Sequence, residues 1–142
     1  VMRVSTHKIM SISLGVGSRL PAYCTSMGRM LLSALPPDQM MQVLQASERS
    51  ARTRYTVTDP DELAAKIAQV RKQGWSMVNQ ELEEGLVSMA AAITDRTGQT
   101  VAALNISGQA NRTSAKVMQE TMLPALLETA QRISERLSLQ RS

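Results

Sequence analysis

Aromatic side chains are almost missing from this 142-residue sequence, which has no Phe, one Trp and two Tyr. Stacking of bases on aromatic platforms, the usual grip on single-stranded nucleic acid, therefore has little to work with. Cysteine is represented by Cys24 alone, so an internal disulfide is excluded and a reducing compartment is the natural setting. With His7 the only histidine, metal sites built on nitrogen or sulfur and Ser–His or Cys–His nucleophilic pairs have few possible members. No G-x-S-x-G elbow occurs. No apolar run approaches the ~18–20 residues that cross a bilayer, and no signal peptide is visible. Charge is not clustered either. The net +4 is scattered along the chain, and Arg49, Arg52 and Arg54 are the nearest thing to a basic patch.

What remains is the composition of one globular domain: 43% of residues are hydrophobic, enough for a single core. Ten methionines take space that rings would usually fill, either as adaptable core packing or as the lining of a pocket. The first residue is Val1 rather than Met, and the expectation is a piece of a longer protein.

Along the chain, partial alternation over 4–14 (Met10, Ile12 and Leu14 on one face) predicts a strand ended by Gly15-Val16-Gly17-Ser18. The glycine pair lacks the third member of a dinucleotide loop, because position 20 is Leu20, and no βαβ unit surrounds it. A helix is predicted over about Tyr23–Ala34, then a short one from the Pro36-Pro37-Asp38 break to Leu44. Residues 46–58 read as an exposed polar loop. Asp59 is a candidate N-cap with Pro60 in the first helical position. Leu63, Ile67 and Val70 then form one stripe, and Gly74 stops the helix. Strands are predicted over Trp75–Gln80, Val87–Thr94 and Gln99–Ser107, the last two joined by the Asp95-Arg96-Thr97-Gly98 turn. Ser114 caps a final amphipathic segment with Val117, Met118 and Met122 on its apolar face. Pro124 is expected to kink or restart it. Strands outside βαβ alternation predict an α+β fold with a mostly antiparallel twisted sheet flanked by helices.

Three places attract chemical attention. The first is Thr25-Ser26-Met27-Gly28, leading into an apolar helix. Backbone amides at a helix start lack partners and sit at the positive end of the dipole, which suits a carboxylate. The second is Asn105 and Ser107 on one strand with Ser88 on its neighbour. They form either a satisfied polar edge or the lining of a pocket, for which Ala90 and Ala92 leave room. The third is Glu81, Glu83 and Glu84, read as solvated charge in a connection between strands. Ser26 or Cys24 as the nucleophile of a hydrolase or lyase, and a ligand-free oligomerisation module, are the rival readings.

The blocks Leu20-Pro21-Ala22-Tyr23 to Thr25-Ser26-Met27-Gly28-Arg29, then Leu31-Leu32-Ser33-Ala34-Leu35-Pro36, followed by Gly74-Trp75-Ser76-Met77-Val78-Asn79-Gln80-Glu81-Leu82-Glu83-Glu84-Gly85-Leu86-Val87-Ser88-Met89-Ala90 and Ala102-Ala103-Leu104-Asn105-Ile106-Ser107-Gly108, resemble the effector-binding domain of IclR-type transcriptional regulators. Their order and spacing cover nearly the whole chain. The resemblance implies a GAF-like sensor domain over residues 1–142, without a cofactor or metal, and a winged helix-turn-helix upstream that lies outside this chain. It implies a homodimer or tetramer in the cytoplasm that touches DNA only through that missing domain and does not touch membranes. The Ser18–Arg29 stretch is similar to the subgroup governing protocatechuate, 4-hydroxybenzoate and β-ketoadipate metabolism, so one of those acids is the implied effector. Carried over by position, its contacts are Ser26, Met27, Gly28, Ser88, Asn105 and Ser107. Asn79 stands where many relatives have an acid, and Arg19 is either a partner for the carboxylate or a solvent-facing cation.

Overall fold

The protein is described here from a computed structural model covering residues 19–139. The strand predicted in 4–14, the Gly15–Ser18 segment and His7 lie outside the described residues. Within them the order is α1 (Ser26–Ser33), α2 (Pro37–Ala46), α3 (Pro60–Gln73), β1 (Trp75–Asn79), β2 (Leu86–Thr94), β3 (Thr100–Gln109) and α4 (Ala115–Ser138). The strands form one antiparallel sheet in the order β1-β2-β3. The fold class is α+β.

The third helix forms for the reasons its sequence advertises. The Asp59 carboxylate accepts from the Glu62 amide at 2.9 Å, and Pro60 needs no amide partner in the first turn. Asp61 and Glu62 lie at the positive end of the dipole, and Arg71 and Lys72 at the negative end. Gly74 closes the helix at φ 87°, a left-handed conformation in which a side chain is strained. Leu63, Ile67 and Val70 are buried as one stripe. In the β2–β3 hairpin the Gly98 amide donates to the Asp95 carbonyl at 3.0 Å. The Thr97 hydroxyl, and then the Thr97 and Gln99 amides, hold the Asp95 carboxyl below its ordinary value.

Alternation gives the sheet two different faces. Val87, Met89, Ala91 and Ile93 of β2 pack against Met118, Leu126 and Ala130 of α4. The other face carries Ser88, Ala90 and Ala92, and it meets α1 and α3 through Met30 and Val70. Among the described residues, helices therefore cover both faces of a three-stranded sheet, and a third apolar cluster around Leu44, Leu63 and Ile67 fixes α2 and α3 to the turn before α1.

Some sequence expectations shift. The first helix begins at Ser26, not Tyr23, because Thr25 caps it and residues 22–25 turn back over it. The second runs to Ala46, two residues past Leu44. Pro124 does not restart the last helix, which is continuous from Ala115 to Ser138. Proline removes one ladder bond, the one to Glu120, and both residues lie on the exposed side of the helix. Burial of Met118 on one side of the proline and of Leu126 and Ala130 on the other holds both halves to the sheet. Val117 is not on that apolar face: it is 47% exposed.

A buried hydroxyl on β1 carries a penalty. Ser76 on β1 is fully buried, and its hydroxyl has no hydrogen-bond partner among the described residues. An unsatisfied buried hydroxyl costs about 1–3 kcal/mol. Ser76→Ala is accordingly expected to raise stability by about 1 kcal/mol in urea unfolding, and a loss of stability would show that the hydroxyl has a partner.

Candidate functional site

The site is assembled around the first turn of α1. The Thr25 hydroxyl donates to the Pro21 carbonyl at 2.9 Å and accepts from the Gly28 amide at 3.1 Å. The first residues, Ser26 and Met27, have no helical acceptor for their amides. Gly28 was expected to supply an amide to an anion, but Thr25 already occupies it. Its contribution is space: a Cβ on Gly28 would stand 2.5 Å from both the Ala22 carbonyl oxygen and the Thr25 hydroxyl. The glycine lets the preceding turn lie directly on the helix.

The Ser26 side chain points at the sheet. The Ser88 hydroxyl donates to that of Ser26 at 2.9 Å, and both residues are buried. On the same face Ser88 lies opposite Ser107, and Ala90 opposite Asn105. Asn105 Nδ2 donates to the Ser107 hydroxyl at 3.3 Å, and both of these side chains are exposed. The structure thus brings Ser26, Ser88, Asn105 and Ser107 to one polar shelf at the start of α1. Half-buried Met27 packs on the adjoining cluster of Met30, Val70 and Ala90.

Other candidates go elsewhere. Asn79 pairs with Val87, out of step with Ser88, and its exposed side chain lies at the β1 edge of the sheet beside Arg29 and Glu81 rather than at the polar shelf. Val78 is the β1 residue in register with Ser88 and is buried. Strict alternation along Trp75–Asn79, counted from the hairpin register, is the signal that separates the two. Arg19 is exposed and joins no ion pair among the described residues. Ala90 is covered by Met30 and Val70, with Met27 beside them, whereas Ala92 borders a cavity of about 470 Å³ with Met30, Ser33, Arg71 and Thr100. The loop after α2 is less solvated than expected, since Arg49 donates to the Leu44, Ser47 and Thr58 carbonyls. The nearest approach to a basic patch is thereby spent partly on holding the loop.

The acidic connection also differs from a solvated cluster. Glu81 is 7% exposed and forms a two-pronged ion pair with Arg29, itself 3% exposed. Arg29 Nη1 and Nη2 donate to the two Glu81 oxygens at 2.9 and 2.6 Å. These two residues border a cavity of about 320 Å³ between α3 and β1, together with Lys66, Gln69 and Asn79. Sequence reasoning missed the pair, and no local signal announces a contact between residues 52 positions apart. Cys24 is fully buried, and that burial pushes its thiol up, against the opposing influence of Arg52. A thiol so placed is a poor nucleophile at neutral pH. Among the described residues no helix is long and apolar enough to cross a membrane, and no group of three metal-ligating side chains forms.

A family model described as the C-terminal region of the bacterial transcriptional regulator IclR matches residues 1–135. The chain is 44% identical over 133 residues to the Pca regulon regulatory protein of Pseudomonas putida, covering 94% of this chain and 46% of that protein. It thus spans about half the length of the curated relatives it matches. A transcriptional regulator from Rhodococcus sp. RHA1 superposes with a TM-score of 0.87 at 44% identity, over 92% of this chain and 52% of that one. The inducer-binding domain of a doubly mutated PobR from Acinetobacter, crystallised with 3-hydroxybenzoic acid, superposes at 0.81 with 30% identity, over 88% of this chain and 73% of that one. With a family match across nearly its whole length, this chain belongs to the IclR family of bacterial transcriptional regulators, whose C-terminal region it represents.

Proposed function

We propose that this domain senses a small hydroxy-aromatic or keto carboxylic acid at the polar shelf and so governs a winged helix-turn-helix upstream. The observation that carries the reading is the Ser88–Ser26 hydrogen bond, which ties the amide-rich start of α1 to the sheet face where Asn105 and Ser107 stand exposed. The carboxylate is received by the Ser26 and Met27 amides, where the helix dipole favours negative charge. Ser88, Asn105 and Ser107 bond the hydroxyl or second acid group, and Met27 supplies an adaptable apolar wall.

The inducer-binding domain of PobR holds a hydroxybenzoic acid in the related structure, and the Pca relative regulates a regulon by name. Both support an effector from the set protocatechuate, 4-hydroxybenzoate and β-ketoadipate. The working protein in this reading is a cytoplasmic dimer or tetramer, and ligand acts by differential affinity for two arrangements of its domains. The relatives named are regulators, and the buried Cys24 thiol offers no support to the hydrolase or lyase reading.

Thermal unfolding tests the proposal. An acid present at a hundred times its Kd adds about 2.7 kcal/mol, which for a chain of this length is a rise in Tm on the order of 10 °C. At least one of protocatechuate, 4-hydroxybenzoate, 3-hydroxybenzoate and β-ketoadipate is expected to produce it. Failure of all four at millimolar concentration would favour the ligand-free oligomerisation module.

A further inference from the structure

We propose that the buried Arg29–Glu81 pair is a positioning device for the carboxylate seat at the start of α1, an inference that rests on the sensor reading above. Arg29 lies one turn into α1, and its Nε reaches back to the Tyr23 carbonyl at 2.8 Å. The residue that anchors to Glu81 therefore also fixes the turn leading into Ser26 and Met27. Glu81 in turn accepts from the Val57 amide at 3.1 Å, while the Thr56 hydroxyl donates to the Glu81 carbonyl at 2.6 Å. The Thr53 hydroxyl bonds the Gln80 carbonyl at 2.6 Å, and the Tyr23 hydroxyl bonds that of Ser50 at the same distance. Three segments, the turn before α1, the loop 47–59 and the connection 80–85, are thus joined at one charged node.

A buried ion pair is an inefficient way to stabilise a fold, because desolvation offsets much of the attraction and apolar residues of equal volume often do as well. What a planar two-pronged pair supplies is defined geometry. A carboxylate held by backbone amides needs that definition, since its hydrogen bonds weaken steeply as distance and angle drift. Both charges of the pair satisfy each other, so neither is free to serve as the ligand's counter-ion.

Charge and position make opposite demands here, which allows a decisive experiment. Glu81 is negative, so if charge alone mattered, Glu81→Gln would strengthen binding of an anion. If Glu81 positions the helix start, the same change weakens it. The wild-type 142-residue chain, Glu81→Gln and Arg29→Lys are titrated calorimetrically with 3-hydroxybenzoate and with its uncharged analogue 3-hydroxybenzamide. Loss of a well-placed charge-assisted hydrogen bond corresponds to about a tenfold change in affinity. The acid is expected to weaken by about that factor in both variants, and the amide by less than about threefold.

Unchanged or tighter acid binding by Glu81→Gln overturns the inference. So does an equal loss for acid and amide, which marks a merely structural role. Where the amide binds too weakly to read, 3-hydroxybenzyl alcohol takes its place as the uncharged probe. If either variant folds poorly, Thr56→Val removes only the hydroxyl bond to the Glu81 carbonyl, and a loss of about threefold confined to the acid is expected. A wild-type chain that binds neither compound, nor any of the other acids named above, defeats the sensor reading and this inference with it. Wild-type binding with unaffected variants defeats this inference alone.

Discussion

Replacing Glu81 by alanine is expected to lower the stability of the chain by about 3–5 kcal/mol, the usual cost of removing one partner from a buried ion pair. In heat denaturation that is a fall in Tm on the order of 10 °C. The reason is the group left behind. Arg29 is only 3% exposed, so its guanidinium would remain buried without its carboxylate, and the Val57 amide would lose its acceptor as well. Removing both charges together in Arg29→Met with Glu81→Leu is expected to cost less than Glu81→Ala by about 1 kcal/mol or more, because no charge is then stranded. The double variant should still fall short of wild type, since the Tyr23 carbonyl and the Val57 amide lose partners. A loss below about 1 kcal/mol for Glu81→Ala would mean that water reaches Arg29.

Gly28→Ala is expected to run against the ordinary rule for helices. In an unobstructed helix, exchanging glycine for alanine stabilises by about 1 kcal/mol. Here the new methyl group would stand 2.5 Å from the Ala22 carbonyl oxygen and from the Thr25 hydroxyl. One of these is backbone, and the other caps the helix through the Gly28 amide, so neither can yield cheaply. The expected result is a net loss of about 1–3 kcal/mol from overpacking, accompanied by weaker binding of carboxylic acids because the turn before Ser26 is displaced. Urea unfolding and calorimetric titration read the two effects separately. A stabilised variant would show that the turn does not rest on Gly28.

Local features of this fold can be read directly from the chain. Asp59, Pro60 and Gly74 mark the ends of α3 because capping and left-handed termination depend on single residues. The alternation of Val87, Met89, Ala91 and Ile93 identifies the α4-facing side of β2 because a strand repeats every two residues. The polar trio Ser88, Asn105 and Ser107 shares a face for the same reason, once the Asp95–Gly98 turn sets the register. Tertiary contacts are not encoded so locally. Glu81 looks solvated beside Glu83 and Glu84, and only the folded chain delivers Arg29 to it. Ala90 looks like the floor of a pocket until Met30 and Val70 are laid on it. Asn79 and Val78 differ by one position, which in a strand means opposite faces. Pro124 signals a kink or a restart by its chemistry, yet the helix does not restart there, because apolar residues on both sides of it pack on the sheet.

The account stands on Asn105 and Ser107 acting with the start of α1 on one small acid. Both side chains are exposed, so changing them together to alanine should alter stability by no more than about 0.5 kcal/mol each. Calorimetric titration of wild type and of Asn105→Ala/Ser107→Ala, with 3-hydroxybenzoate, 4-hydroxybenzoate, protocatechuate and β-ketoadipate in turn, is the most direct measurement. Saturable binding of at least one acid by the wild type, weakened about tenfold or more in an equally stable double variant, is the predicted result. Binding that the double variant retains in full, or no binding of any of the four by the wild type, would contradict it.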